Sequence, residues 1–149
     1  MSNSSFQTTS GIRQPGFSDL SGSPTASQGV PSLITASSVN LTGQNSSIGT
    51  TTLFAVGASG AGVYRVSFSL IDTSAGSAGT VTATIGWNNG TGAQSSTTAS
   101  LSLSSAGGEV SGDFIFTSGA SQNITYATTV TGIVGAPFYT LKLRIEYLG

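Results

Sequence analysis

Hydrophobic and polar positions alternate with period two through most of the chain. Over residues 62–71 (GVYRVSFSLI), Tyr64, Val66, Phe68 and Leu70 fall on one side and Arg65, Ser67 and Ser69 on the other. Residues 80–87 (TVTATIGW) place Val81, Ala83, Ile85 and Trp87 on one face and Thr80, Thr82 and Thr84 on the opposite one. The same period puts Thr97, Ala99, Leu101 and Leu103 together in 93–103, and Phe114 with Phe116 in 110–117. It then groups Ile124, Tyr126, Thr128 and Val130 in 123–131. In the last block, 138–148, Tyr139, Leu141, Leu143, Ile145 and Tyr147 face one way, and Lys142, Arg144 and Glu146 the other. Two earlier strands are predicted, a short one around Val39 and Leu41 and another over 48–56.

Turn chemistry separates these blocks. Ser74-Ala75-Gly76-Ser77-Ala78-Gly79, Gly107-Gly108, Ser118-Gly119-Ala120-Ser121 and Gly135-Ala136-Pro137 all break a strand. Asn88-Asn89-Gly90 contains Asn-Gly, the strongest short hairpin signal. About eight half-buried strands at regular spacing predict an all-β fold: an eight-stranded antiparallel sandwich, jelly-roll-like. No fixed repeat supports a solenoid or propeller.

Residues 1–36 differ. They hold Pro15, Pro24 and Pro31, show neither strand nor helix period, and carry isolated apolar residues. They are expected to form an irregular N-terminal arm, ordered on a partner if at all, with residues 37–149 as the β-sandwich domain. Phe6, Ile12, Phe17 and Leu20 are its candidate partner-binding residues, each a single apolar plug on an extended segment.

Composition narrows the function. The 149 residues include 27 Ser, 21 Thr and 21 Gly, but only nine charged residues, no His and no Cys. Without Cys there is no disulfide, iron–sulfur cluster or thiol nucleophile. Without His the commonest general base and zinc ligand are missing. Four basic residues and a net charge of −1 leave no footprint for nucleic acid or an anionic membrane. The first residues lack a basic segment followed by an apolar one, so no cleaved signal is expected. The Asn-x-Ser/Thr sequons read as a consequence of Ser/Thr richness.

The acids are Asp19, Asp72, Glu109, Asp113 and Glu146. Asp72 and Glu109 sit at strand ends, where loops could bring them together as a glycosidase-like pair. The simpler reading makes them solvated turn-flanking acids, and no enzyme activity is expected. No calcium-loop spacing exists, and neither metal nor cofactor is expected. Lys142, Arg144 and Glu146 read as a solvated face that discourages edge pairing. Arg65 has five candidate acid partners. Trp87 is in phase with core positions. The Thr80, Thr82, Thr84 row would suit an ice-binding sheet only if neighbouring strands repeated it.

An outer surface of small hydroxyls in place of charge suits permanent assembly more than a free monomer. The runs Ile48-Gly49-Thr50-Thr51-Thr52-Leu53-Phe54, Gly62-Val63-Tyr64-Arg65-Val66-Ser67 and Gly79-Thr80-Val81-Thr82-Ala83-Thr84-Ile85-Gly86-Trp87 resemble small β-domains of tailed-bacteriophage virion proteins. So do Ile124-Thr125-Tyr126-Ala127-Thr128-Thr129-Val130-Thr131-Gly132 and Tyr139-Thr140-Leu141-Lys142-Leu143-Arg144-Ile145-Glu146, and the likeness extends over 39–148. It implies a structural virion protein of the head decoration (cement) or fibre-tip type, assembled as a trimer. The short arm, with no shaft before the domain, favours decoration. The expected partner is then the major capsid protein, on the capsid surface of a virion assembled in the host cytoplasm. A tail or baseplate fibre tip binding host glycans is the alternative, followed by a stand-alone carbohydrate- or ice-binding module.

Overall fold

The computed structural model describes residues 32–149, with side chains from residue 37 onward. The arm positions Phe6, Ile12, Phe17 and Leu20 lie outside the described residues. Nine strands follow one another: β1 (Ser32–Gln44), β2 (Thr51–Ala55), β3 (Gly62–Ser74), β4 (Ala78–Asn88), β5 (Ala93–Thr97), β6 (Leu101–Ser102), β7 (Glu109–Ser118), β8 (Asn123–Val134) and β9 (Phe138–Tyr147). They form two antiparallel sheets. One has the order β1-β9-β3-β7, and the other the order β2-β8-β4-β5, with β6 also paired to β4. β5 and β6 are one strand interrupted, so the eight expected strands are present. Their nesting is that of a jelly roll: β4 with β5, β3 with β7, β2 with β8 and β1 with β9, alternating between the sheets. β1 starts at Ser32, which pairs with Tyr147, ahead of the expected domain start at residue 37.

The interruption between β5 and β6 corrects one expectation. Thr97 and Ala99 are exposed, and Thr98 is buried with Leu101 and Leu103. The reason is a side chain that substitutes for strand pairing. The Ala83 N–H donates to Thr98 Oγ1 at 3.0 Å, while the Thr98 N–H donates to the Ala83 carbonyl at 2.9 Å. The chain must kink to turn that hydroxyl inward, and the period-two phase slips there. The Asn-Gly turn also differs in detail. Residues 89–92 form a four-residue loop, with Asn88 opposite Ala93. The Asn89 carboxamide oxygen accepts from the N–H groups of Thr91 and Gly92. Gly90 supplies the positive φ of 92°.

The core lies between the sheets. Tyr64, Val66 and Leu70 from β3, with Leu141 and Ile145 from β9, meet Val81, Ile85 and Ile124 from the opposite sheet, all fully buried. Aromatic rings fill one end: Tyr64 contacts Phe54, Phe116 and Tyr147 at centroid separations of 6.0, 6.5 and 5.1 Å. Both ends of the described chain lie here. The Leu148 N–H donates to Val63, and the Val63 N–H to Gly149. The β4–β5 and β7–β8 turns meet at the same end. A Cβ on Gly119 would sit 2.9 Å from the Gly90 Cα, so the contact requires glycine. The β1–β2, β3–β4, β6–β7 and β8–β9 connections occupy the opposite end, tied by Gly76 N–H to Leu103 and Ser77 N–H to Val134. Chain entering from residues 1–31 therefore joins the sandwich at one pole and leaves the other clear of the described termini.

Candidate functional site

The charged side chains are sorted by sheet. Inward and outward positions alternate along β3, and its register to both neighbours is continuous through the centre. Arg65, Lys142, Arg144, Glu109, Asp113 and Glu146 therefore all stand on the outer face of the β1-β9-β3-β7 sheet. Arg65 takes Glu146 as its partner: Nε donates to Oε2 at 2.7 Å, and the second guanidinium nitrogen donates to the same oxygen. This pair is partly exposed and worth little in itself. Ser69 Oγ donates to Glu109 Oε1 at 2.9 Å. A groove of about 590 Å³ runs over this face, lined by Ser38, Asn40, Ser67, Ser69, Lys142 and Arg144 among others.

Asp72 is the seventh charged side chain among the described residues, and it corrects the reading of a solvated acid. It continues the inward row of Tyr64, Val66, Phe68 and Leu70 and is 1% exposed. The adjacent register position pairs Ile71 with Glu109, so backbone pairing brings the two acids close. The pleat sends them to opposite faces, and they form no catalytic pair. Asp72 Oδ1 accepts from the Ser74 N–H at 3.1 Å, closing the start of the β3–β4 turn. Oδ2 is buried with no hydrogen-bond partner among the described residues. A buried carboxylate oxygen left without partners is costly. Asp72→Asn retains the acceptor for Ser74 and removes the formal charge, so its melting temperature is expected at or above that of the parent. Asp72→Ala strands the Ser74 N–H and should lose about 1–3 kcal/mol. Thermal melts of the two variants at neutral pH check the order.

The outer face of the other sheet carries no charge among the described residues. Thr80, Thr82 and Thr84 on β4 lie beside Thr131, Thr129 and Ala127 on β8, and Thr84 also lies beside Thr97 on β5. The threonine row is therefore repeated in part on neighbouring strands, at two positions of β8 and one of β5. The hydroxyls pair across strands, Thr80 with Thr131 and Thr84 with Thr97, both at 2.9 Å. Each pair gives both hydroxyls one hydrogen bond, whereas Thr82 and Thr129 between them have no hydrogen-bond partner among the described residues. Trp87 is half-buried and stacks on Phe116 at 4.3 Å with an interplanar angle of 17°, as an extension of the aromatic core.

No group of three or more acidic, histidine or cysteine side chains could hold a metal ion among the described residues. No helix among them is long and apolar enough to cross a membrane.

No family model and no curated protein matches the chain. Among solved structures, it is similar to the CBM22-1–GH10 modules of the N-terminal endo-1,4-β-D-xylanase 10B from Clostridium thermocellum, in complex with xylohexaose. The identity is 14%, the match covers 67% of this chain and 19% of that one, and the TM-score is 0.40. A likeness that distant bears on neither ligand nor activity.

Proposed function

We propose that this chain is a structural virion protein that decorates a capsid, holding the outer shell through its N-terminal segment and its uncharged sheet face. The observation that carries the reading is the uncharged, threonine-rich outer face across β8, β4 and β5, with two hydroxyl pairs across its strands. Such a face can be covered by another protein without burying a charge, and the paired hydroxyls keep one hydrogen bond each when it is. Threonine side chains also lose little rotamer freedom on burial, because χ1 is already restricted. The chain preceding Ser32 enters at the pole where Tyr147 lies. From there Phe6, Ile12, Phe17 and Leu20 would reach gaps between shell subunits. Contact spanning two subunits stabilises their association by linkage, since the bound form exists only when both are in place.

Quantitative mass spectrometry of purified virus particles tests this. Hundreds of copies in a simple ratio to the major capsid protein are expected. Deletion of residues 2–30 should then reduce occupancy sharply. A handful of copies per particle would place the chain in the tail, and absence from particles would end the virion reading.

A further inference from the structure

The charges on the outer face of the β1-β9-β3-β7 sheet are arranged in columns and rows. β9 contributes Lys142 and Arg144, followed by Glu146 that is paired with Arg65, and β7 an acidic column of Glu109 and Asp113. β3 runs between them. Ser67 pairs with Arg144 on one side and with Asp113 on the other, so a cation and an acid share one row across the central strand. We propose that this face binds a second copy of the chain about a two-fold axis running along β3.

Rotation by 180° about that axis turns the two faces together and exchanges left for right. The partner's β9 then lies over β7, and its β7 over β9. Position along β3 is preserved. Arg144 of each copy meets Asp113 of the other, and Lys142 lies over the segment between Glu109 and Asp113. An isologous contact repeats each such pair twice. Adjacent strands are about 4.8 Å apart and packed faces about 10 Å apart, a gap that long side chains from both faces fill. Packed sheets cross at about 30°, so rows match best near the middle of the strand. Ser67 is near the middle of β3, which runs from Gly62 to Ser74.

Two further placements follow from the same operation. Ile115 is 60% exposed on β7, in the row of Arg65 and Glu146. The two-fold places it over the partner's β9 at the level of Glu146, whose carboxylate is already held by Arg65. Arg65 stands near the axis, where its own copy faces it, and Glu146 neutralises each one. With the axis on β3, only β9, β3 and β7 overlap, so three strands about 4.8 Å apart and ten residues at about 3.3 Å give a shared face of roughly 475 Å² in projection. That is about 60% of the roughly 800 Å² that each partner contributes to a standard interface, the size of a weak, salt-sensitive dimer. An anionic or cationic ligand would match one column only, whereas a second copy matches both. The contact is two-fold where the virion resemblance implies three-fold, and it stands whether or not the chain decorates a shell.

Sedimentation velocity on the full chain provides the test. A dimer is expected at low salt, dissociating toward 0.5 M salt, where the screening length falls to about 4 Å. Arg144→Asp and Asp113→Arg should each weaken the dimer about tenfold or more, and the double variant should recover most of the loss. Thr82→Lys, on the opposite face, should leave it unchanged. Arg144→Gln and Asp113→Asn provide milder versions if either reversal lowers the melting temperature. A monomer throughout, a trimer indifferent to these reversals, or additive losses in the double variant would overturn the proposal.

Discussion

Replacing Tyr64 with alanine is expected to cost about 3–5 kcal/mol, the scale of a large aromatic removed from a packed core. No other ring among the described residues meets as many: it is fully buried and touches Phe54, Phe116 and Tyr147, and Trp87 stacks on Phe116 behind it. Its hydroxyl donates to the Gly60 carbonyl, which fixes the β2–β3 connection. A domain of this size has about 5–15 kcal/mol of stability in total, so the substitution would take a third or more of it. Tyr64→Phe keeps the ring and removes only that hydrogen bond, for about 1–2 kcal/mol. Urea unfolding of both variants, compared at unchanged slope, separates ring from hydroxyl.

The same hydroxyl gives the fold an alkaline limit. Burial, with a smaller contribution from Tyr147, pushes the Tyr64 phenol up to about 12. Burial also raises Tyr139, against a smaller opposing effect of its hydrogen bond to Thr128. In the unfolded chain a tyrosine ionises near 10. Between pH 10 and 12 the unfolded chain therefore gives up protons that the native chain retains. Stability falls through that window, while below pH 10 these groups contribute no dependence. Tyr64→Phe should flatten part of the slope, measured as tyrosinate absorbance against loss of β-sheet circular dichroism.

The second large effect is expected at Thr128. The Ile48 N–H donates to Thr128 Oγ1 at 2.8 Å, and the Thr128 and Tyr139 hydroxyls lie 2.7 Å apart. Tyr139 donates to the Ser46 carbonyl at 2.8 Å, so the shared proton comes from Thr128. This relay ties the β1–β2 connection to one strand of each sheet. Thr128→Val preserves shape but leaves the Ile48 N–H without its acceptor and Tyr139 without its donor. A loss of about 2–3 kcal/mol is expected, with faster amide exchange at Ile48. Tyr139→Phe breaks the next link, and the double variant should lose less than the sum of the singles.

These two sites show how far the sequence could be read. Alternation placed Tyr64, Thr128 and Tyr139 on inward faces, and all three are buried. Their partners were not legible, since Ile48 and Thr128 are 80 residues apart. The inward row through Tyr64 and Leu70 also reaches Asp72, but the adjacent turn residues suggested solvent. Burial followed because the β6–β7 connection covers that end, with Gly107 and Gly108 bonded to the Asp72 backbone. Thr98 escaped because a side chain that takes over a backbone hydrogen bond breaks the period without leaving a mark in it.

What the sequence by itself determined is the strand count, the sandwich class and the inward residue of nearly every strand. Those follow from local pleat geometry, in which each residue's face is fixed by its neighbours in the chain. Only the tertiary structure decided which strands lie side by side, because pairing in a jelly roll joins β1 to β9 and β3 to β7 across long stretches of chain. That pairing turns scattered residues into surfaces. It sets the row through Arg144, Ser67 and Asp113, gathers six charges on one sheet, and leaves an uncharged threonine-rich face on the other.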